Sequence, residues 1–332
     1  MHVAGIVAEY NPFHNGHSFM ADKARQSGAT HLVACMSGSF VQRGEAAFAD
    51  KFLRAEAAVR SGIDLVLDLP VPWSLGGAAS FARGGVSVLS NIGCDTLAFG
   101  CETNDESLLL KTAQTMLQES VQAKAAALMK DGMIYPAALG QVLSSRGLAD
   151  CAFVLASPNN ILAVEYIKSI LQMDLNISLL PVRRVGSEHD AADCCERIAS
   201  AAALRAMNDS ADMAPYMPAE AFCAYQENPG RLLSKVNFET SVLTALRLLP
   251  EDVFDSFVDD RSGLSDRLRA AVKTSDSLDS LYQAAKTKNY TLSKIRREVM
   301  HLYLQIPTFY QKQEPLFIRV LAANERGLEV LS

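Results

Sequence analysis

The chain has 332 residues, of which 49% are apolar, enough to bury a sizeable core and long enough that two domains are the natural expectation. Only 20% of the residues are charged and no long stretch is biased in composition, which excludes a disordered chain, while 31 basic against 37 acidic side chains leave a net charge of −6, so any nucleic-acid contact must come from a local patch and not from overall charge. The seven cysteines form no CxxC pair, no apolar run approaches a membrane span, and Met1-His2-Val3-Ala4-Gly5 has no signal-sequence character; the expectation is a cytoplasmic protein with reduced thiols, no zinc and no membrane.

Short apolar runs alternate with helical patterns through the first half. Gly5-Ile6-Val7-Ala8 predicts the first strand, and His17 to Ser27 a helix after it. His31 to Met36 predicts the second strand. Asp50 to Arg60 places Phe52, Ala55 and Val59 on one helix face, with Gly62 where a C-terminal cap belongs. Further strands are expected at Asp64 to Leu69, Thr96 to Phe99 and Ile177 to Val182. Between them lie an apolar stripe from Leu109 through Ala113, Met116 and Leu117 to Val121, and a helix from Asn160 to Leu171.

Buried strands separated by helices read as a doubly wound, parallel-sheet α/β domain of the Rossmann-like kind. Asn208-Asp209-Ser210, Pro215 and Pro218 mark a linker, after which helical patterns dominate. Leu243, Leu246 and Leu248-Leu249 share one helix, and Ser265 to Val272, Ser277 to Lys286 and Leu292 to Leu304 predict three more. A short strand is expected at Leu316 to Leu321. The division that follows is 1–208 for the α/β domain and 209–332 for a mainly α-helical C-terminal domain.

The stretch that carries chemistry is Val7-Ala8-Glu9-Tyr10-Asn11-Pro12-Phe13-His14-Asn15-Gly16-His17-Ser18-Phe19-Met20. A strand ends near Ala8, an Asn-Pro turn follows, and His-Asn-Gly-His opens a helix. Ligands of open α/β sheets gather at the carboxyl ends of the strands, and a helix N-terminus favours anions. Two imidazoles there can donate to phosphate oxygens, and Gly16 lets the backbone come close to a nucleotide. Nucleotidyl transfer needs such fixed donors as charge grows on the α-phosphate. His14 and His17 are therefore the candidate catalytic pair.

This motif resembles the start of the HxGH nucleotidyltransferase superfamily. Met36-Ser37-Gly38-Ser39-Phe40-Val41-Gln42-Arg43-Gly44-Glu45 is similar to a block of the bacterial tRNA(Met) cytidine acetate ligases. So are Asp68-Leu69-Pro70, Phe99-Gly100-Cys101-Glu102, Ser157-Pro158-Asn159-Asn160-Ile161-Leu162 and Lys286-Thr287-Lys288-Asn289-Tyr290-Thr291. The resemblance implies a nucleotidyltransferase-type (HUP/Rossmann-like) catalytic domain followed by a helical tRNA-binding domain. It implies that ATP and acetate form acetyl-adenylate, which acetylates the wobble cytidine of elongator tRNA(Met) without acetyl-CoA, and that Mg2+ accompanies ATP. It also implies ATP contacts along Val7 to Met20 and at Gly100, Asn159 and Arg184. Departures are Ser39 for Asn, Ala46 for Pro, Glu188 for Tyr and Ala202 for Thr, the last removing a hydroxyl expected near the phosphates while Ser200 and Arg205 remain.

Lys286, Lys288, Lys294, Arg296 and Arg297 form the clearest basic cluster, and with the family match they are candidate tRNA contacts, Tyr290 among them offering a ring to stack on a base. A solvated helix face is the plainer alternative. Arg43 and Glu45 are candidates to shape the acetate pocket or meet RNA. Asp64, Asp68 and Glu102 are candidates for magnesium or for backbone capping, and His189-Asp190 for an acid–base pair. Cys194-Cys195 read as packing residues. Competing readings are a nucleotidyltransferase for a small phosphorylated metabolite, which has no use for basic C-terminal helices, and a non-catalytic ATP- and RNA-binding protein.

Overall fold

The computed structural model describes residues 1–130, 133–184, 197–207, 210–258, 263–288 and 290–332. In chain order, β1 (Val3–Ala8), α1 (Asn15–Gln26) and β2 (His31–Ser37) open the fold, followed by a small hairpin of β3 (Phe40–Val41) and β4 (Glu45–Ala46). Then come α2 (Lys51–Arg60), β5 (Leu65–Leu69), α3 (Val71–Ser74), α4 (Ala78–Asn91) and β6 (Thr96–Cys101). A helical excursion follows: α5 (Glu106–Leu117), α6 (Glu119–Lys130), α7 (Tyr135–Ser145), α8 (Ala149–Val154) and α9 (Pro158–Gln172), leading into β7 (Ser178–Arg183). The rest comprises α10 (Ala201–Arg205), α11 (Ala219–Glu227), α12 (Lys235–Leu248), α13 (Glu251–Phe257), α14 (Leu264–Thr274), α15 (Leu278–Ala285), α16 (Leu292–Leu304), β8 (Val320–Ala323) and α17 (Glu325–Val330).

Among the described residues the main sheet runs β7-β6-β1-β2-β5-β8, parallel except for β8, which pairs antiparallel to β5. Side chains of one strand alternate between two faces, and both faces here are buried. Val3, Val33, Cys35, Leu65, Leu67, Leu97 and Phe99 share one core with α4, α5 and α9. Ala4, Ile6, Ala8, Leu32, Ala34, Met36, Val66 and Ala98 face the other way, against α1, α2 and α11. Continuous apolar runs rather than alternating ones follow from that double cover. The expected doubly wound α/β fold is the observed one, with the switch in strand order between β1 and β6.

A third core lies among α12–α16, from Val242 and Leu246 through Leu264, Leu268 and Leu281 to Ile295 and Val299. Leu75, just past α3, is buried in it, and Phe40 of β3 packs against it. The helical unit is thus seated on the hairpin and on α3. After residue 208 the path is not a simple departure from the sheet. Met213, Met217, Ala221 and Tyr225 belong to the core of α1 and α2, and α17 lies against β2 and β5. The strand expected at 316–321 forms later, at 320–323, because Leu316 and Phe317 point to solvent (91% and 58% exposed) and only the following residues reach the edge of β5. The stripe from Leu109 to Val121 is divided between α5 and α6, the chain turning at Gln118.

Candidate functional site

The corner between β1 and α1 is built from local sequence. Tyr10 holds a left-handed backbone (φ 43°), the Asn11–Pro12 peptide is cis, and His14 takes the extended conformation of an N-cap. A bulky residue at positive φ persists only where its surroundings over-determine it, and Tyr10 is 1% exposed against Phe13 and His17. His14 and His17 then form a reciprocal capping box from imidazoles rather than the usual hydroxyl and carboxylate. His14 Nδ1 accepts from the Gly16 N–H at 3.1 Å, and His17 Nδ1 accepts from the His14 N–H at 3.2 Å.

Those bonds decide the tautomers. A ring nitrogen that accepts from a backbone N–H carries no proton, so each neutral imidazole keeps its hydrogen on Nε2. Both rings are also held neutral. Burial, with the nearby Arg184 charge, lowers His14 to about 4. His17 is pushed well below the usual imidazole value by burial, then by His14 and Arg184. The rings stack at 3.8 Å between centroids. Gly16 has no alternative: a Cβ there would lie 2.9 Å from His14 Cε1. The arrangement presents two neutral Nε2–H donors at the N-terminus of a helix, able to hold phosphate oxygens.

Of the expected residues, Gly100 and Arg184 lie beside this corner. Gly100 lies at the end of β6, where a Cβ would touch Arg184 Cγ and Met20 Cε at 3.4 Å. Arg184 directly follows β7, and its backbone N–H donates to the Cys101 carbonyl at 3.0 Å. Asn159, in the first turn of α9, donates to Glu102 Oε1 at 2.6 Å, while Glu102 Oε2 accepts from the Asn160 N–H at 3.0 Å. Ala202 is exposed in α10, which Ser200 caps by accepting from the Ala203 N–H at 3.1 Å.

Sequence reasoning passed over Arg54, which is fully buried and organises the strand ends. Its guanidinium donates to the carbonyls of Ala49, Glu9, Ser37 and Gly38, fastening the loops after β1 and β2 to α2. Burial lowers its pKa to about 10, so it stays charged at neutral pH. The only sequence trace is an arginine followed by alanines at 55, 57 and 58, small enough to leave it room. Glu9 is enclosed similarly: burial raises its carboxyl, opposed by the Gln42 N–H at 2.9 Å and by Arg205, Arg43 and Arg54.

The carboxylates considered for magnesium have other partners. Asp64 binds Arg25, the Leu32 N–H (2.7 Å) and Asn324 (3.1 Å), and Glu102 is committed as above. Asp68 pairs with Lys51 at 2.6 Å, two strands away from β1. Among the described residues no group of three or more His, Cys, Asp or Glu could cage a metal. These residues therefore do not fit a dedicated magnesium site. Glu188, His189-Asp190, Cys194-Cys195 and Asn289 lie outside the described residues.

The basic cluster divides. Lys286 and Lys288 are exposed. Lys294 sits 5.1 Å over the Tyr290 ring, which is only 7% exposed, so that ring is part of the helical core and not a platform for a base. Arg296 is paired with Glu45, and Arg297 donates to the Gln42 carbonyl at 3.3 Å. Glu45 thus meets another protein group while its side chain stays 33% exposed, and Arg43 at the hairpin tip is exposed.

Comparisons with known proteins identify the family and the fold. The sequence model of the HIGH Nucleotidyl Transferase family matches residues 1–332. A tRNA(Met) cytidine acetate ligase from Syntrophotalea carbinolica is 35% identical, with 98% of this chain and 81% of the relative covered. The enzyme of that name from Bacillus subtilis is 32% identical over 100% of this chain and 84% of its own. The crystal structure of Thermotoga maritima TmcAL bound with alpha-thio ATP superposes with a TM-score of 0.92 at 32% identity, covering 100% of this chain and 82% of that one.

Proposed function

The chain belongs to the HIGH nucleotidyl transferase family, among its tRNA(Met) cytidine acetate ligases, and from that premise we propose that it acetylates the wobble cytidine of elongator tRNA(Met) using ATP and acetate, by way of acetyl-adenylate. An acetate oxygen attacks the α-phosphorus and pyrophosphate leaves. The cytidine N4 amine then attacks the acetyl carbonyl, a C–N bond replaces the C–O bond to AMP, and the amine loses its proton.

The observation that carries this reading is the pair of imidazoles capping the start of α1, each accepting a backbone N–H on Nδ1 and so left to donate from Nε2. They serve as donors for the phosphates of ATP, which become more negative as the transition state forms, and they need no reorganisation to do so. The residues assigned to the nucleotide are Val7 to Met20, Gly100, Asn159 and Arg184. Arg184 brings a full positive charge to the same place, and Asn159 is aimed by Glu102. Mg2+ belongs with the triphosphate as it arrives. The exposed Lys286 and Lys288, with Lys294, are the assigned tRNA contacts, while Arg296 and Arg297 serve docking.

Incubation of the purified protein with ATP, acetate and unmodified elongator tRNA(Met), without acetyl-CoA, should yield N4-acetylcytidine by nucleoside mass spectrometry. A folded, ATP-binding preparation that forms none would overturn the assignment.

A further inference from the structure

The β3–β4 hairpin is held from two sides at once. On one side is the nucleotide loop. Arg205 Nη1 donates to the Asn11 carbonyl at 2.7 Å, three residues before His14, and Arg205 Nη2 lies 3.7 Å from Glu45 Oε2. Glu9 Oε1 in the same loop accepts from the Gln42 N–H. On the other side is α16. Arg296 Nη1 grips Glu45 Oε1, the other oxygen of the same carboxylate, and Arg297 bonds the Gln42 carbonyl.

Gly44 completes the seat. It has φ 79°, and a Cβ there would come within 2.5 Å of the Arg297 N and 2.6 Å of the Arg296 carbonyl carbon, so the hairpin tip rests on the backbone of α16 itself. Two independent paths thus run from α16 through a hairpin of a few residues to the loop that carries His14. In each, one residue of the hairpin, Glu45 or Gln42, has partners on both sides.

We propose that Glu45 is a positioning residue that ties the nucleotide loop to α16, so that tRNA engaged on the helical unit and ATP in the β1–α1 corner bind with mutual dependence. This rests on the ligase reading above. A carboxylate shared by two arginines transmits position well: moving Arg296 reweights the Glu45–Arg205 pair, and with it the hold on the Asn11 carbonyl. The linkage is reciprocal by thermodynamic necessity, each ligand changing the other's affinity by the same factor.

The test measures the affinity for the non-hydrolysable α,β-methylene ATP by equilibrium dialysis, with and without saturating unmodified elongator tRNA(Met). The full chain should show a coupling factor on the order of 5 or more. Glu45→Gln should lower it by about half or more, the Gln42 path remaining, Glu45→Asp should restore part of it, and Arg296→Gln, which breaks the same path at its outer end, should match Glu45→Gln. A coupling factor of 1 in the unmodified protein, or an unchanged factor in folded Glu45→Gln and Arg296→Gln, overturns the proposal. If the unmodified protein makes acetylcytidine and yet shows no coupling, only this inference fails. If it makes none, the ligase reading fails with it.

Discussion

Two regions of this molecule gather nitrogen-bearing side chains, and they are built on opposite principles. At the β1–α1 corner the imidazoles are buried, neutral and bonded to their own backbone. On α15 and α16 and the turn between them, the cations are charged and split between solvent, an aromatic ring and a carboxylate of the hairpin. Burial in the first region removes freedom and leaves one hydrogen on each ring to offer. In the second, sequence proximity groups five cations with four different surroundings: solvent for Lys286 and Lys288, the Tyr290 ring for Lys294, the Glu45 carboxylate for Arg296 and the Gln42 carbonyl for Arg297. A short motif constrained by its own capping bonds can therefore be interpreted from its residues, whereas a run of like charges cannot.

The sharpest way to break the comparison is His17→Ala. It removes one phosphate donor together with half of the capping box, and should lower acetylcytidine formation by about 10²–10³-fold. Filter binding of tRNA should stay as in the unmodified protein, since the cations lie elsewhere. Comparable turnover in the variant would show that the corner is not where the chemistry happens.

A second prediction uses the buried histidine that each region has. His14 and His301 are both lowered by burial to about 4. A histidine whose folded pKa lies below 6.5 takes up its proton more readily when unfolded. Its contribution is intact above pH 6.5 and is lost as the pH falls from 6.5 to about 4, by about 3 kcal/mol for each. Urea unfolding at pH 7 and pH 4.5 should show this decline, and His301→Gln should shrink it by most of one such contribution. An identical decline in that variant would remove His301 from the account.

The smallest expected effect separates the cations of the helical unit. Lys286→Glu with Lys288→Glu should weaken tRNA binding about tenfold at physiological salt and lower the slope of log K against log salt by about 2. Arg296→Gln should leave that slope as it was, because its charge is spent within the protein. Equal loss of slope in both variants would put Arg296 on the RNA after all.

Much of the fold was legible from residues 5–8, 31–36, 64–69, 96–99 and 177–182, where continuous apolar runs announce strands covered on both faces. Helix α16 was equally plain, from Leu292 to Leu304. The two-strand hairpin at 40–46 was not, since so few residues show no period. Asp64 and Glu102 were legible as acids but not as staples, because their partners Arg25, Asn324 and Asn160 lie 39 to 260 positions away.

The amino-acid order by itself determined the cap of the β1–α1 corner: a strand, an Asn-Pro turn, and two histidines spaced three apart around a glycine, whose ring nitrogens bond backbone groups two and three residues away. Tertiary structure alone decided that Arg54 is buried beneath four carbonyls, that Tyr290 is core, and that Arg296 faces Glu45. Charge and aromaticity are properties of one residue, but whether they meet water or another side chain depends on which distant segment folds against them.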